Sequence, residues 1–347
     1  MQEHKNPSEN SPTSQTPLRL GISQCLMGEK VRYDGAHKRN GFLLELFAPY
    51  VEWHAVCPEV EVGMGIPRET LHLVGDPEAP LMQTTKTKID HTDSMNRWSQ
   101  ERLDTLECKE LHGYIFKKNS PSCGLFGVKV FPLQVEDSGS TAAHTGESTE
   151  EQAEYLEGRG LFASAFTDRF PLLPVEEEER LQDPVIRDHF ISQLVMSYRW
   201  KTFLEGEVKP HGLISFHRDA KMTLLAHSPV HYKSMGKMLS NVGKDELPPL
   251  LEAYGQQLME AMKVPASRGK HVNVIQHLIG FVSKKMAKAH KQEWELCLQQ
   301  YQDGLCPRLV PLTLLQHHIR HGSLPAWVSQ QFYLAPLVFE QMLQNPV

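Results

Sequence analysis

Three cysteines, Cys25, Cys57 and Cys123, each follow a short apolar stretch and precede turn-forming residues: LRLGIS runs into QCLMG, VEWHAV into CPE, and LHGYIF into KKNSPSCGLFG. They stand 32 and then 66 positions apart, so no local C-x-x-C knuckle joins them. Thiolates are soft ligands suited to zinc or to iron-sulfur groups. A structural zinc site wants four ligands in closed geometry, with His37 or His54 as the candidates for the fourth. A cubane [4Fe-4S] cluster on three cysteines instead leaves one iron open, a Lewis acid with affinity for sulfur. Glu59, two residues after Cys57, is the candidate base for a water molecule, and Ser120, three before Cys123, the candidate to orient it. Ser122, Arg32, Asp34 and Arg68 are candidates to shape the pocket. Each has a plainer reading: a cap or salt bridge for Glu59, a turn hydroxyl for Ser120, a packed thiol for Cys123.

Bringing such residues together requires strands whose ends converge. Leu18 to Ser23 and Val51 to Val56 read as strands, with an amphipathic helix from Asn40 to Ala48 between them. Gly63, Gly65, Pro67 and Arg68 prolong a loop, Thr87 to Leu106 reads as a helix with Asp90, Asp93 and Arg97 on its wet side, and Leu111 to Phe116 as a further strand. In a parallel sheet the carboxyl ends of strands distant in sequence line one edge, where α/β folds bind ligands. Cys108, off this pattern in the predicted helix, reads as packing, as do Cys297 and Cys306.

The composition is that of an ordinary globular chain, with 40% hydrophobic and 22% charged residues among 347. Six cysteines are too sparse for a disulfide framework. No window approaches the roughly 18 apolar residues of a membrane span and the N-terminus lacks a signal-peptide core, so a cytoplasmic location without membrane association is expected. Residues 1–16 read as a disordered leader and 134–152, rich in Ser, Thr, Gly and Glu, as a flexible insertion. The net charge of -6 divides unevenly: residues 1–190 carry 19 basic against 31 acidic side chains, and residues 191–347 carry 17 against 11. A basic half beside an acidic one is compatible with a polyanionic partner.

After the acidic run Glu176 to Glu179 the periodicity turns helical, which divides the chain into an α/β domain over 17–180 and an all-α domain over 184–347. Leu213 to His227 places His217 and Lys221 on one face. Ser228-Pro229 reads as a cap opening a new helix, Val230 to Asn241, so His227 and His231 do not share one helix. Val272 to Lys291 reads as one helix carrying Lys284, Lys285, Lys288 and Lys291. With Lys221, Lys233 and Lys237, Lys284, Lys285 and Lys288 are the candidate phosphate contacts.

Ser23-Gln24-Cys25-Leu26-Met27-Gly28 with Arg32-Tyr33-Asp34-Gly35, Cys57-Pro58-Glu59 with Gly65-Ile66-Pro67-Arg68, and Lys117 to Gly124 together resemble the thiouracil desulfidase family, over roughly Leu18 to Val175. That resemblance implies a three-layer α/β/α domain with a mostly parallel sheet, a [4Fe-4S] cluster on Cys25, Cys57 and Cys123, and catalytic roles for Glu59 and Ser120. Gln24, Met27 and Met64 depart from the family's commonest form. Phe216-His217, Leu225-Ala226-His227-Ser228, Asn273 to Gly280 and Val310 to Leu315 resemble the YbgA-type helical domain. The pairing of the two is similar to the two-domain tRNA 4-thiouridine desulfidases, which implies tRNA as partner and 4-thiouridine as substrate. A desulfidase of free thiouracil-type bases, or a non-catalytic iron-sulfur sensor or RNA-binding protein, are the alternatives.

Overall fold

A computed structural model describes residues 16–107, 109–133, 154–243, 246–282, 286–321, 326–337 and 340. Cys108, Lys284, Lys285, the insertion at 134–152 and all but the last residue of the leader lie outside the described residues. The described chain falls into two compact units, divided between Arg187 and Asp188.

The first unit runs β1 (Leu18–Ser23), α1 (Gly41–Phe47), β2 (Val51–Val56), α2 (Pro58–Glu61), β3 (Leu71–Asp76), β4 (Ala79–Thr84), α3 (Thr92–Glu107), β5 (Gly113–Phe116), β6 (Val128–Phe131), β7 (Leu156–Gly158), α4 (Leu161–Arg169) and β8 (Val175–Glu177). It is an α/β unit whose principal sheet is wholly parallel, in the order β2-β1-β5-β8. Leu18, Leu20 and Ile22 on one face of the central strand β1 are fully buried, and Gly21 and Ser23 on the other face are buried too, as befits a parallel strand covered on both faces. Tyr114, Phe116, Phe162 and Phe166 pack beneath the sheet with Cys123 and Leu125. The Tyr114 ring occupies the space over Gly21, where a Cβ would meet it at 2.0 Å.

The sequence reading missed the second sheet. Strands β3 and β4 form an antiparallel hairpin, β6 pairs parallel with β3, and β7 closes the edge, in the order β4-β3-β6-β7. Helix α3 also begins five residues later than its apolar pattern suggests. The Thr84 and Thr87 hydroxyls pair at 2.7 Å, and the Asp90 carboxylate accepts from the Thr92 N–H at 2.8 Å. Side chains that bond nearby backbone in this way compete with helix.

The second unit is all helix: α5 (Pro184–Glu205, which begins just before the division), α6 (Pro210–His227), α7 (Pro229–Met238), α8 (Leu247–Lys263), α9 (Arg268–Val282), α10 (Lys288–Gln302), α11 (Leu309–His321) and α12 (Ala326–Ser329). Ser228 caps α7 with its hydroxyl, as the Ser-Pro pair indicated. The single helix expected over 272–291 is two helices, because Ala287 is extended and opens α10. No helix among the described residues is long and apolar enough to cross a membrane.

Candidate active site

The register of the parallel sheet converts three distant sequence positions into neighbours. Ser23 stands opposite Val56, and Ile22 opposite Ile115, so β1, β2 and β5 end at nearly one level. Cys25 follows β1 on the 3-10 turn Gln24–Met27, Cys57 follows β2 as the N-cap of α2, and Cys123 lies in the loop after β5. All three line one cavity of about 210 Å³ with Glu59, Arg32, Arg68, Lys117, Ser120 and Ser122.

The loop carrying Cys123 is built by its own side chains and by α4. The Ser120 hydroxyl accepts from the Cys123 N–H at 3.1 Å and the Ser122 N–H at 3.3 Å, the turn role anticipated for it. The N–H groups of Gly160, Leu161 and Ala163 donate to the carbonyls of Gly124, Pro121 and Ser122 at 2.8 to 3.1 Å. Gly160 is required there, since a Cβ would sit 2.6 Å from the Ser122 carbonyl.

Glu59 is held on both sides. Its Oε2 takes the Arg68 guanidinium, with the Arg68 Nε at 3.1 Å, and its Oε1 accepts from the Ser122 hydroxyl at 2.7 Å and the Ser120 hydroxyl at 3.4 Å. Ser122, 1% exposed, thus makes the closer contact of the two serines. Arg68 also donates to the Val31 carbonyl at 3.0 Å, which ties the three segments of the wall together. Arg32 reaches the cavity, but Asp34 does not line it; the Asp34 carboxylate instead accepts from the Ala36 N–H at 3.0 Å within its own turn.

Burial governs the thiols. It lifts Cys25 to about 11, helped by the neighbouring Cys57 and opposed chiefly by Lys117 and then Arg32. Cys57 is raised by burial, and Cys123, buried in the core cluster, is raised well above the ordinary thiol value by the same cause. Among the described residues no group of three or more His, Cys, Asp or Glu is gathered so as to hold a metal ion. Neither His54, beside Glu52 at 3.5 Å, nor His37, which accepts from the Arg39 N–H at 3.2 Å, lines the cavity, so neither is a fourth ligand there.

In the helical unit, Lys233 and Lys237 are exposed one turn apart on α7, and Lys288 is exposed in the first turn of α10. Lys221 is half-buried, its ammonium 5.7 Å from the centre of the Trp327 ring. His217, expected on a face with Lys221, is buried: it stacks on Tyr232 and pairs with the Tyr254 hydroxyl at 3.1 Å, because the large rings of Trp200, Phe216 and Tyr254 draw that face inward.

Residues 20–178 match the family model for 2-thiouracil desulfurase. YbbK of Bacillus subtilis (strain 168), an uncharacterized protein, is 30% identical over 132 residues, 35% of this chain and 85% of that protein. Through its N-terminal unit the chain belongs to the 2-thiouracil desulfurase family. Residues 221–337 match a second family model, described as a protein of unknown function, DUF1722. The uncharacterized YbgA of Escherichia coli (strain K12) is 27% identical over 132 residues, 36% of this chain and 78% of that protein. A solved structure of the [4Fe-4S]-dependent thiouracil desulfidase TudS is 24% identical, covering 48% of this chain and 94% of that one, with a TM-score of 0.34.

The sequence pattern located every cysteine of the cavity, and Glu59, Ser120, Ser122, Arg32 and Arg68 with them. It missed Ser23, which accepts the Lys117 N–H at 2.9 Å, and it read Glu177 and Glu178 as part of an acidic joint. Glu177 is the last residue of β8 and Glu178 follows it directly.

Proposed function

We propose that this protein is an iron-sulfur desulfidase that removes the sulfur of 4-thiouridine in tRNA, giving uridine and hydrogen sulfide. The observation that carries the reading is the convergence of Cys25, Cys57 and Cys123 on one cavity with Glu59, within a 2-thiouracil desulfurase domain. The donor set suits a [4Fe-4S] group. The three thiols are soft, and burial keeps them protonated until a cation displaces the proton. Held by Cys25, Cys57 and Cys123, the group would supply one iron open to sulfur as a Lewis acid.

Replacing C=S by C=O requires water to give its oxygen to the carbon and its two protons to the departing sulfur. Glu59 Oε1 faces the Ser120 and Ser122 hydroxyls and is the acceptor for the first of those protons, while Arg68 on Oε2 keeps the carboxylate from turning away. The two hydroxyls orient the water. The Lys117 ammonium and Arg32 guanidinium, on the same cavity wall, favour negative charge on the leaving sulfur.

Support for tRNA lies in the second unit, where Lys233, Lys237, Lys288 and Lys291 are exposed cations suited to phosphates. A cavity of about 210 Å³ admits a base, not a duplex, so a base in folded RNA must be turned outward to enter. The test is an anaerobic assay of thiolated tRNA, read by loss of the thiouridine absorbance, with the whole chain and with a chain ending at 184. The whole chain desulfurates tRNA, and the shortened chain acts on free thiouracil alone. Equal action of both on tRNA removes the role of the helical unit. Action on free base only establishes the free-thiouracil alternative, and inactivity of the iron-loaded protein on both substrates the non-catalytic one.

A further inference from the structure

The run Glu176 to Glu179 has the composition of a solvated joint, yet Glu176, Glu177 and Glu178 are 8%, 1% and 7% exposed. Burying adjacent carboxylates is costly unless each meets a partner, and each does. Glu177 Oε1 accepts from the Leu125 N–H at 2.8 Å and the Phe126 N–H at 3.2 Å. Glu178 Oε2 accepts from the Lys118 N–H at 2.8 Å, and Glu178 Oε1 takes the Lys117 ammonium. Glu176 pairs with Arg180 at 2.7 Å, and the Arg180 guanidinium lies 4.7 Å from the centre of the Phe126 ring.

These partners are the two ends of a single loop. The chain leaves β5 at Phe116, which stands opposite Glu177 in the sheet, passes Ser120, Ser122 and Cys123, and reaches Phe126. We propose that Glu177 and Glu178 are positioning residues for this site, a two-point clamp from β8 and the residue after it that fixes the Cys123 loop at its exit and its entry and sets the Lys117 ammonium on the cavity wall. The proposal rests on the reading of Cys123 as a cluster ligand.

The other two cysteines have local supports. The Cys25 carbonyl accepts from the Lys38 N–H at 2.9 Å, and the Cys57 N–H donates to Glu61 at 3.1 Å within the helix it caps. The Cys123 loop, with Asn119 at a left-handed φ of 57°, has no helix or strand of its own; the Ser120 hydroxyl and the N–H groups of Gly160, Leu161 and Ala163 hold its middle, and its two ends rest on the glutamates. Its Lys118, Leu125 and Phe126 amides would lose their acceptors without the two glutamates, and a carboxylate oxygen holds two N–H groups more firmly than a neutral acceptor. Glu178 has a second consequence, because the Lys117 ammonium it takes lines the same cavity as Cys25, so freeing Lys117 moves a cation on the wall that carries a second ligand.

Hydrogen exchange on the full-length chain, purified anaerobically, tests this in the wild type, E177A, E177Q and E178A, with iron per chain measured on the same samples. Loss of an acceptor of ordinary strength speeds exchange at the orphaned amides by about tenfold. E177A is expected to show this at Leu125 and Phe126, and E178A at Lys118, each with less iron than the wild type. E177Q, whose amide oxygen still accepts, retains slow exchange and iron near the wild-type amount. Wild-type exchange in E177A, or E177Q exchanging as fast as E177A, overturns the clamp. If E177A does not fold, unchanged exchange at Lys118 in E178A overturns it. Exchange is read without substrate, so an inactive wild type would remove the proposed function and leave the clamp standing, and the reverse outcome would do the opposite.

Discussion

Glu59 has both carboxylate oxygens committed before any substrate arrives: Oε2 to Arg68, Oε1 to Ser122 and Ser120. That division of labour makes the two serines unequal. Ser122 makes the shorter bond to Glu59, while the Ser120 hydroxyl also accepts two backbone N–H groups of the turn. Glu59→Gln should therefore lower kcat by about a hundredfold or more, the usual scale for a lost general base. Iron per chain should stay the same, because Glu59 is no ligand. Ser122→Ala should cost about tenfold in kcat, the worth of one hydrogen bond to a charged group. A Glu59→Gln protein with wild-type turnover removes the carboxylate from the chemistry. The types of these residues were legible in the sequence. Which serine bonds Glu59 more closely was not, because residues two apart in an irregular turn can face either way.

At the scale of elements, β1, β2 and β5 were accessible from apolar runs bounded by turn formers, and β1 and β2 begin and end where the pattern placed them, whereas β8, Val-Glu-Glu, was read as part of an acidic run. The hairpin of β3 and β4 was hidden in a stretch whose Gly and Pro residues, Gly63, Gly65 and Pro67, drew attention to a loop. Its pairing is long-range with β6, and no local pattern encodes that. The start of helix α4, with the Gly160 that caps it, grips the cysteine loop through three N–H groups, a relation between residues about forty positions apart that only the fold shows. Gly160→Ala tests it: the added Cβ, 2.6 Å from the Ser122 carbonyl, forces a shift that costs roughly 1–3 kcal/mol. The melting temperature of the first unit should fall by several degrees, and iron per chain should fall with it. Unchanged values of both would show that the loop yields freely.

Across the whole molecule the two units carry different burdens. The helical unit buries histidines in neutral form: burial lowers His227 to about 4, with the nearby His189 adding to the effect, and lowers His217 to about 4. Histidines whose folded value lies below the ordinary 6.5 contribute stability that is complete above pH 6.5 and is lost as pH falls through 4. For His227 that amounts to roughly 3 kcal/mol. Thermal unfolding followed between pH 7 and 4 should show the helical unit weakening across that window, and His227→Gln should flatten the dependence. A pH-independent transition would contradict the burial of these rings. That one half is α/β and the other helical was plain from periodicity and charge. The burial of His217 was not, since an i, i+4 pair with Lys221 fits a wet face and a packed one equally well.

The claim on which the functional reading turns is that Cys25, Cys57 and Cys123 hold an iron-sulfur cluster. Its most direct test is quantification of iron and acid-labile sulfide in the anaerobically purified full-length protein, beside Cys123→Ala. The account predicts about four of each per chain in the wild type and a large loss of both in the variant. A wild-type protein that carries one zinc and no iron would contradict it.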